Sequence, residues 1–255
     1  LQFNNKETTE ENIKKQILQK NTFLYDEPQF FLKEELREPT TYYAILKAIA
    51  NGKQKISQIS DHAGIPITKI SPYLENLQLL KIIERKTPIT ENPQKSRKGI
   101  YKITDHYFKF WFRYVFPNKE YIEQGKQQQL YKEKIQPTIK AHYGEIYEEI
   151  ARDWTKKHYK DYLVGSWWDK EEEIDIVATN KEKDELLIGE VKYKELNKKE
   201  AITIIKKLEE KSTKIKWGNK PSIKKILIAE KITNKEEIEK ETKTECYELQ
   251  DINTK

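Results

Sequence analysis

The chain of 255 residues contains few of the residues from which cofactor sites and disulfides are built. Cys246 is its only cysteine, which excludes a disulfide framework and a cysteine-based zinc site. The four histidines never fall at the i, i+4 spacing of a zinc-protease helix. No two of the eight glycines lie closer than 12 residues, so neither a P-loop nor a dinucleotide-binding fingerprint is present. We therefore expect no nucleotide cofactor in this chain.

Long apolar runs are also missing. No stretch approaches the roughly 18 to 20 apolar residues that a membrane helix needs. The segment from Leu1 to Lys20 is polar and does not resemble a signal peptide. These absences predict a cytoplasmic protein with no membrane partner. The chain has no methionine and opens at Leu1, from which we expect a C-terminal piece of a longer protein.

Charged and aromatic side chains are abundant instead, at 35% and 11% of the residues, and the aromatic content argues against disorder. The net charge of +6 is unevenly spread. Residues 40–103 hold eleven basic and four acidic side chains, whereas residues 144–255 hold 24 basic and 26 acidic ones. A local basic excess is typical of a polyanion-binding protein. We expect DNA as the partner, with a solvated lysine-rich surface as the alternative.

The basic segment has the pattern of a winged helix-turn-helix domain. Two short helices, a turn at Gly64 and a third helix precede two strands joined by a loop. The third helix carries apolar residues at helical spacing, from Ile70 to Leu80. The DNA-binding candidates are hydroxyl, aromatic and cationic side chains of this helix and of the loop: Lys69, Ser71, Tyr73, Lys95, Arg97 and Lys98. A protein-interaction module is the alternative interpretation.

The C-terminal half predicts an α/β sheet with a polar site. Asp175 lies in one apolar strand, and Glu190 and Lys192 lie in the next. Alternate residues of a strand face the same side, so Glu190 and Lys192 project together, and a hairpin would bring Asp175 alongside. Burying such charges is costly unless a metal ion or precise pairing compensates. The alternative is an ordinary solvated ion pair of Glu190 and Lys192 on an edge strand.

Catalysis would account for such a site. Two carboxylates, here Asp175 and Glu190, suit Mg²⁺ or Mn²⁺ and leave positions for water and phosphate. Such a metal stabilises charge on a scissile phosphate and lowers the pKa of bound water. Lys192 would orient or activate that water. Asp…Glu-x-Lys on adjacent strands resembles the restriction-endonuclease-like pattern, PD-(D/E)xK.

Several segments resemble the region that follows the ATPase core in the archaeal ATPase family. They are DEP at 26–28, FLKEELREP at 31–39, residues 42–52, SRKGIY at 96–101, FWFRY at 110–114, GSWW at 165–168 and residues 173–178. The resemblance implies an AAA-type ATPase domain followed by a winged helix and a restriction-endonuclease-like domain. It also implies a further catalytic carboxylate on the preceding helix, at Glu148 or, failing that, Glu149.

The expected fold class is therefore α+β, with an N-terminal helical and winged helix-turn-helix domain followed by a restriction-endonuclease-like α/β domain. The expected divisions are a helical linker at 1–39, the winged helix at 40–103, a buried aromatic helical connector at 104–137 and the nuclease-like domain at 138–255.

The expected function is that of a DNA-binding protein with a Mg²⁺-dependent endonuclease domain. Its partners would be duplex or branched DNA and an ATPase domain in the same or an associated chain. A catalytically inactive DNA-binding regulatory module and a protein-interaction scaffold are the alternatives, and the sequence predicts no oligomeric state.

Overall fold

The computed structural model describes residues 3–217 and 221–252, which form two compact units. The first unit contains residues up to Lys86 together with residues 99–139. The second contains the segment Thr87–Lys98 and the chain from Lys140 onward. The architecture is mixed α and β, as predicted. Within the described residues, no helix combines the length and the apolar character needed to cross a membrane.

The first unit opens with five helices and a two-stranded antiparallel sheet. They are α1 (Thr9–Asn12, continued by a π-helical turn, Ile13–Ile17), α2 (Phe23–Glu35), α3 (Pro39–Ala50), α4 (Ile56–Ala63), α5 (Ile67–Leu79), β1 (Ile83–Lys86) and β2 (Ile100–Ile103). Pro39 occupies the first turn of α3, where its missing N–H costs nothing. Gly64 ends α4 at a φ of 68°, a conformation that favours glycine.

The predicted apolar face of α5 is confirmed for three of its four residues. Ile70, Leu74 and Leu77 are buried, whereas Leu80 is half-buried and follows the last residue of the helix. The following strands pair in register from Ile83 opposite Ile103 to Lys86 opposite Ile100. Three helices followed by an antiparallel pair are therefore the observed order of elements over this stretch.

The aromatic segment after β2 is buried, as the sequence predicted. It forms α6 (His106–Phe110), a π-helical turn (Trp111–Val115), a 3₁₀ turn (Phe116–Asn118), α7 (Lys119–Glu123), α8 (Gln127–Leu130) and a second π-helical turn (Tyr131–Ile135). Trp111 and Phe112 are fully buried. The indole N–H of Trp111 donates to the carbonyl oxygen of Tyr25 at 2.9 Å. This hydrogen bond joins the aromatic segment to α2 and satisfies the polar atom of the buried indole.

The second unit is a five-stranded sheet with helices on both faces. Its elements are α9 (Ile139–His158), β3 (Leu163–Asp169), β4 (Glu172–Asn180), β5 (Glu185–Leu196), α10 (Lys198–Ser212), β6 (Ser222–Ile232), α11 (Lys235–Thr242), β7 (Glu245–Glu248) and α12 (Leu249–Ile252). The strand order is β3-β4-β5-β6-β7. Strands β3, β4 and β5 pair antiparallel, whereas β5, β6 and β7 pair parallel.

Each face of the sheet has its own core. Tyr147 and Ala151 of α9 pack with Ile176 of β4 and Val191 of β5 on one face. The opposite face packs against α10 through apolar residues such as Leu208. Strand β5 is covered on both sides at residues 186–189, which explains the apolar run there. A methyl group on Gly189 in β5 would lie 2.6 Å from Cγ1 of Ile226 and 3.2 Å from Cβ of Ile176, so this position requires glycine.

The segment Thr87–Lys98 was predicted as an exposed wing loop, but it packs within the second unit. The N–H of Ile89 donates to the carbonyl oxygen of Ser166 in β3 at 2.9 Å, which covers part of that edge strand. The indole N–H of Trp168 donates to the carbonyl oxygen of Lys98 at 2.9 Å. The loop is therefore anchored to β3 at both of its ends.

Three other predictions differ from the structure. The strand expected over 159–168 begins only at Leu163, because Tyr159 and Tyr162 close the end of α9 with backbone hydrogen bonds to Thr155 and Tyr159. Helix α11 and strand β7 were not predicted. Strand β7 is short, and its sequence Glu-Cys-Tyr-Glu carries little apolar signal.

Candidate functional site

Asp175 and Glu190 lie on neighbouring strands of the sheet. Strands β4 and β5 are paired from Asn180 opposite Glu185 to Ile176 opposite Gly189. Asp175 and Glu190 are the next residues of β4 and β5 beyond this last paired position. The register therefore puts the two residues next to each other where the paired stretch of the strands ends.

A β-bulge lies at the site. Gly165 of β3 pairs with Val177 of β4, yet Trp167 pairs with Ile174. Strand β4 therefore carries one residue more than β3 in this interval, where Asp175 and Ile176 lie against Ser166. Bulges redirect side chains and are common beside active sites. This bulge interrupts the regular pairing of β4 with β3 in the interval that contains the candidate catalytic aspartate.

Lys192 lies between the two carboxylates. Its ammonium nitrogen is 2.8 Å from Oε1 of Glu190 and 3.6 Å from Oδ2 of Asp175. Oδ2 of Asp175 also accepts a hydrogen bond from the backbone N–H of Val191 at 2.8 Å. The structure thus brings together Asp175, Glu190 and Lys192, and we refer to these three residues as the DEK cluster.

The sequence interpretation missed a second lysine at this cluster. Lys211, near the end of α10, places its ammonium nitrogen 3.2 Å from Oε2 of Glu190 and 3.3 Å from Oε1. Lys211 follows the buried Leu208 by three residues, so both lie on the side of α10 that faces the sheet. That spacing is the sequence signal that could have identified it.

Helix α9 contributes a charged pair. The guanidinium group of Arg152 donates to the backbone carbonyl of Asp175 at 3.1 Å and lies 3.7 Å from Oε2 of Glu148. Arg152 is buried and Glu148 is half-buried. The charge of Glu148 is among those that raise the pKa of Lys192. Of the two helix glutamates predicted, Glu148 therefore acts on the cluster electrostatically; Glu149 is half-buried on the same helix.

The electrostatics of the cluster reflect its burial. Burial raises the pKa of Asp175 from 3.8 to about 6, and the negative charge of Glu190 adds to this effect. Lys192 and the Val191 N–H act in the opposite direction. Burial alone would lower the pKa of Lys192, but Asp175 and Glu190 outweigh it, so the pKa is raised. The lysine is therefore held as an ammonium beside an aspartate that resists ionisation.

The candidate ligands for a divalent metal are the carboxylates of Asp175 and Glu190. Among the described residues, no group of three or more histidine, cysteine, aspartate or glutamate side chains is placed to hold an ion. Mg²⁺ is commonly held by only one or two carboxylates together with water and substrate phosphate. Asp175 and Glu190 fit that smaller requirement, provided that the ammonium of Lys192 moves aside. Its side chain is 35% exposed and has a flexible stem.

The alternative of a solvated ion pair on an edge strand is wrong. Strand β5 is the central strand of the sheet, and the Glu190 side chain is only 10% exposed. Burial of an ion pair costs desolvation energy that a surface pair does not. The DEK cluster therefore carries an energetic cost that the fold alone does not explain.

The predicted DNA-binding residues lie in different settings. Lys69 and Ser71 are exposed on α5, whereas Tyr73 is half-buried and packs edge-on against Tyr42 with ring centroids 5.2 Å apart. The candidates of the loop belong to the second unit.

Lys95 and Arg97 are exposed on the loop of the second unit. Lys98 is not a free cation there. Its ammonium nitrogen lies 3.0 Å from Glu91 and 3.1 Å from Asp169. These two carboxylates neutralise the charge that the sequence interpretation assigned to phosphate binding.

Two comparisons with known proteins found a match to this chain. Residues 111–204 match the model of the DUF234 family, described as archaeal and bacterial proteins of unknown function. The chain is also 37% identical, over 208 residues and 78% of its length, to an uncharacterized protein of Methanocaldococcus jannaschii. The match covers 46% of that protein, so the chain spans about half the length of the curated relative it matches. No solved structure matches the chain. The chain is thus similar to the DUF234 family over a region that includes Glu148 and the whole DEK cluster.

Proposed function

We propose that the second unit is a Mg²⁺- or Mn²⁺-dependent DNA endonuclease domain of the restriction-endonuclease-like class. The observation that carries this proposal is the DEK cluster, held in the interior of a sheet by its backbone register. Three charged groups at such a position lower the stability of the fold. Their presence is therefore best explained by a function that requires them. Hydrolysis of a phosphodiester makes use of this combination of groups.

Each residue has a role in this proposal. Asp175 and Glu190 would hold the metal, which supplies stabilisation of phosphate charge and a bound water of lowered pKa. Lys192, kept as an ammonium, orients the attacking water and neutralises charge that develops on the phosphate. Lys211 keeps Glu190 in place when Lys192 turns towards the substrate. Glu148 adds negative charge from α9.

The first unit would bind DNA as a winged helix. This part of the proposal is supported by the order of its elements, by the basic excess over residues 40–103 and by the exposure of Lys69 and Ser71 on α5. Lys95 and Arg97, which belong to the second unit, would make phosphate contacts of their own. Duplex and branched DNA are both candidate partners. An ATPase domain, in the same or an associated chain, is a further partner that follows from the resemblance to the archaeal ATPase family.

A second candidate function is a DNA-binding regulatory module whose nuclease-like domain does not cut. One observation favours it: the ammonium groups of Lys192 and Lys211 already neutralise Glu190, and Lys192 also approaches Asp175. A cluster balanced in this way has no electrostatic need for a metal. The two candidates differ only in whether a divalent metal displaces Lys192.

Cleavage of plasmid and branched DNA in Mg²⁺ or Mn²⁺, with EDTA as the blank, separates the candidates. Asp175→Ala should abolish cleavage and leave DNA binding unchanged or slightly tighter, because a negative charge near the phosphates is removed. Glu173→Ala, an exposed neighbour on β4, is the matched control and should cut normally. Cleavage that persists in Asp175→Ala would refute the proposed site. Binding without cleavage by the natural chain would establish the regulatory module.

A further inference from the structure

Helix α2 of the first unit presents aromatic side chains to solvent. Its inner side is buried through Tyr25, Pro28 and Leu32. On its outer side, Phe23 is 60% exposed and Phe30 is 68% exposed. A single exposed apolar residue is common on protein surfaces, but several on one helix indicate a surface that binds another molecule.

Two neighbouring clefts lie along this helix and share Glu27 as a lining residue. One cleft, of about 280 Å³, is lined by Phe23 and Phe30. The other, of about 250 Å³, is lined by Phe31 and by Phe108 of α6, whose rings meet edge-on with centroids 5.8 Å apart. All of these residues belong to the first unit. Together the clefts form an aromatic groove with a carboxylate where they meet, and we refer to it as the α2 groove.

The α2 groove is acidic. Glu27 is half-buried, and its carboxylate contacts no cation or hydrogen-bond donor among the residues that the structure describes. Burial and the negative charge of Asp105 raise the pKa of Glu27. Asp26 and Asp105 also line the clefts, and among the described lining residues Lys81 is the single cation. A half-buried carboxylate without a partner is unfavourable, and a cation brought by a ligand would relieve that cost.

The spacing along α2 suits a helical ligand. Phe23 and Phe30 are seven residues apart, which corresponds to about 10 Å along a helix axis. Helices that bind in apolar grooves use anchor residues at the same i and i+7 spacing. Glu27 lies four residues after Phe23 and three before Phe30, so a basic residue between two anchors of a bound helix would face it.

We propose that the α2 groove binds a helical segment of a partner protein that carries lysine or arginine between two large apolar residues about two turns apart. Complementarity of charge favours such a segment over an acidic peptide or a nucleic acid, because Asp26, Glu27 and Asp105 would repel both. The interaction lies beyond the proposed nuclease function and does not depend on it, since it needs neither metal nor DNA.

A library of helical peptides displayed on phage tests the chemistry of the ligand. Peptides of about 16 residues, or about four turns, are randomised on one side of the helix and selected on the whole chain in EDTA without DNA. Recovered peptides should carry large apolar residues six to eight positions apart with lysine or arginine between them. Recovery of acidic peptides, or of no peptide at all, would refute the proposal.

Variants then locate the bound peptide, with anisotropy of a fluorescently labelled copy as the measurement. Phe30→Ser should weaken binding by about tenfold or more, as is typical of an aromatic anchor position. Glu27→Gln keeps the shape without the charge and should weaken binding by about threefold or more. The matched controls on α5 are Ile67→Ser, at a residue that is 51% exposed, and Glu75→Gln, at an exposed residue. Both controls should bind as the natural chain does, and equal losses in a variant and its control would refute the groove.

A second copy of this chain is the other possible occupant, and sedimentation of the natural chain tests it. The chain should remain a monomer, whereas a dimer that Phe30→Ser dissociates would assign the α2 groove to self-association and refute the partner helix. Phe30 is largely exposed, so its replacement should leave the fold intact. Phe23→Ser is a second variant of the same cleft and should weaken peptide binding in the same way.

Discussion

Replacement of Asp175 by asparagine should stabilise the protein at pH 8. The aspartate side chain is buried, and burial makes its ionised form unfavourable. Asparagine has the same shape without the charge, and its carbonyl oxygen can still accept the hydrogen bond that Val191 donates to Oδ2. The expected gain in the free energy of unfolding equals the free energy needed to keep the Asp175 carboxyl group ionised in its buried environment.

The magnitude follows from the raised pKa. Folding raises the pKa of Asp175 from 3.8 to about 6, so the folded chain binds this proton more tightly than the unfolded chain does. The resulting penalty is absent below pH 3.8, grows as the pH rises, and is complete above about pH 6. A difference of about 2.2 pKa units, at 1.36 kcal/mol each, corresponds to about 3 kcal/mol.

Urea denaturation at pH 4 and pH 8 measures this effect. Asp175→Asn should gain about 3 kcal/mol at pH 8 and well under 1 kcal/mol at pH 4, which lies close to the unfolded-state pKa of 3.8, so that little of the penalty has developed. Glu173→Gln removes the same charge from an exposed position of β4 and should have almost no effect at either pH. A loss of stability in Asp175→Asn at pH 8, or an equal gain at both pH values, would refute the reasoning.

The double variant Lys95→Ala, Arg97→Ala should reduce the steepness with which the logarithm of the duplex-DNA association constant falls against the logarithm of the salt concentration. The expected reduction is about 1.8, because each lost phosphate contact contributes about 0.9. An unchanged slope would show that neither residue contacts DNA. Gly189→Ala should lower the free energy of unfolding by about 1 to 3 kcal/mol, because the new methyl group overlaps the core. Gly144→Ala in α9, where a methyl group meets nothing within 4 Å, should raise it by about 0.5 to 1 kcal/mol; denaturation that ranks the two variants the other way would contradict this packing. Burial raises the pKa of Cys246 to about 12, so a thiol reagent should label it only after denaturation, and rapid labelling of the native chain would disprove its burial.

Periodic apolar patterns were sufficient to predict most helices and strands. The spacing of Ile70, Leu74 and Leu77 indicated one face of α5, and all three are buried. Strand β7 could not be recognised in this way, because a four-residue strand with glutamate at both ends has no period that can be read. Short elements at the end of a sheet depend on pairing with β6, which is a tertiary effect.

The candidate site was only partly predictable. Alternation along β5 put Glu190 and Lys192 on one side, and their contact at 2.8 Å agrees with that placement. The bulge in the interval of β4 that contains Asp175 depends on how β3 and β4 are paired. A sequence pattern does not contain that information. Lys98 shows the same limitation. A lysine in a polar loop has the same sequence signature whether it faces solvent or, as here, is bound by Glu91 and Asp169.

The anchored segment Thr87–Lys98 makes the two units inseparable by any single cut. The chain passes from one unit to the other three times, after Lys86, after Lys98 and after Ile139. A fragment that starts at Lys140 would lack the hydrogen bond from Ile89 to Ser166, leaving part of the β3 edge open to pairing with other chains. A single cleavage of the chain therefore cannot separate the complete second unit from the first. The candidate DNA-binding helices and the DEK cluster are therefore encoded on interleaved segments of one chain.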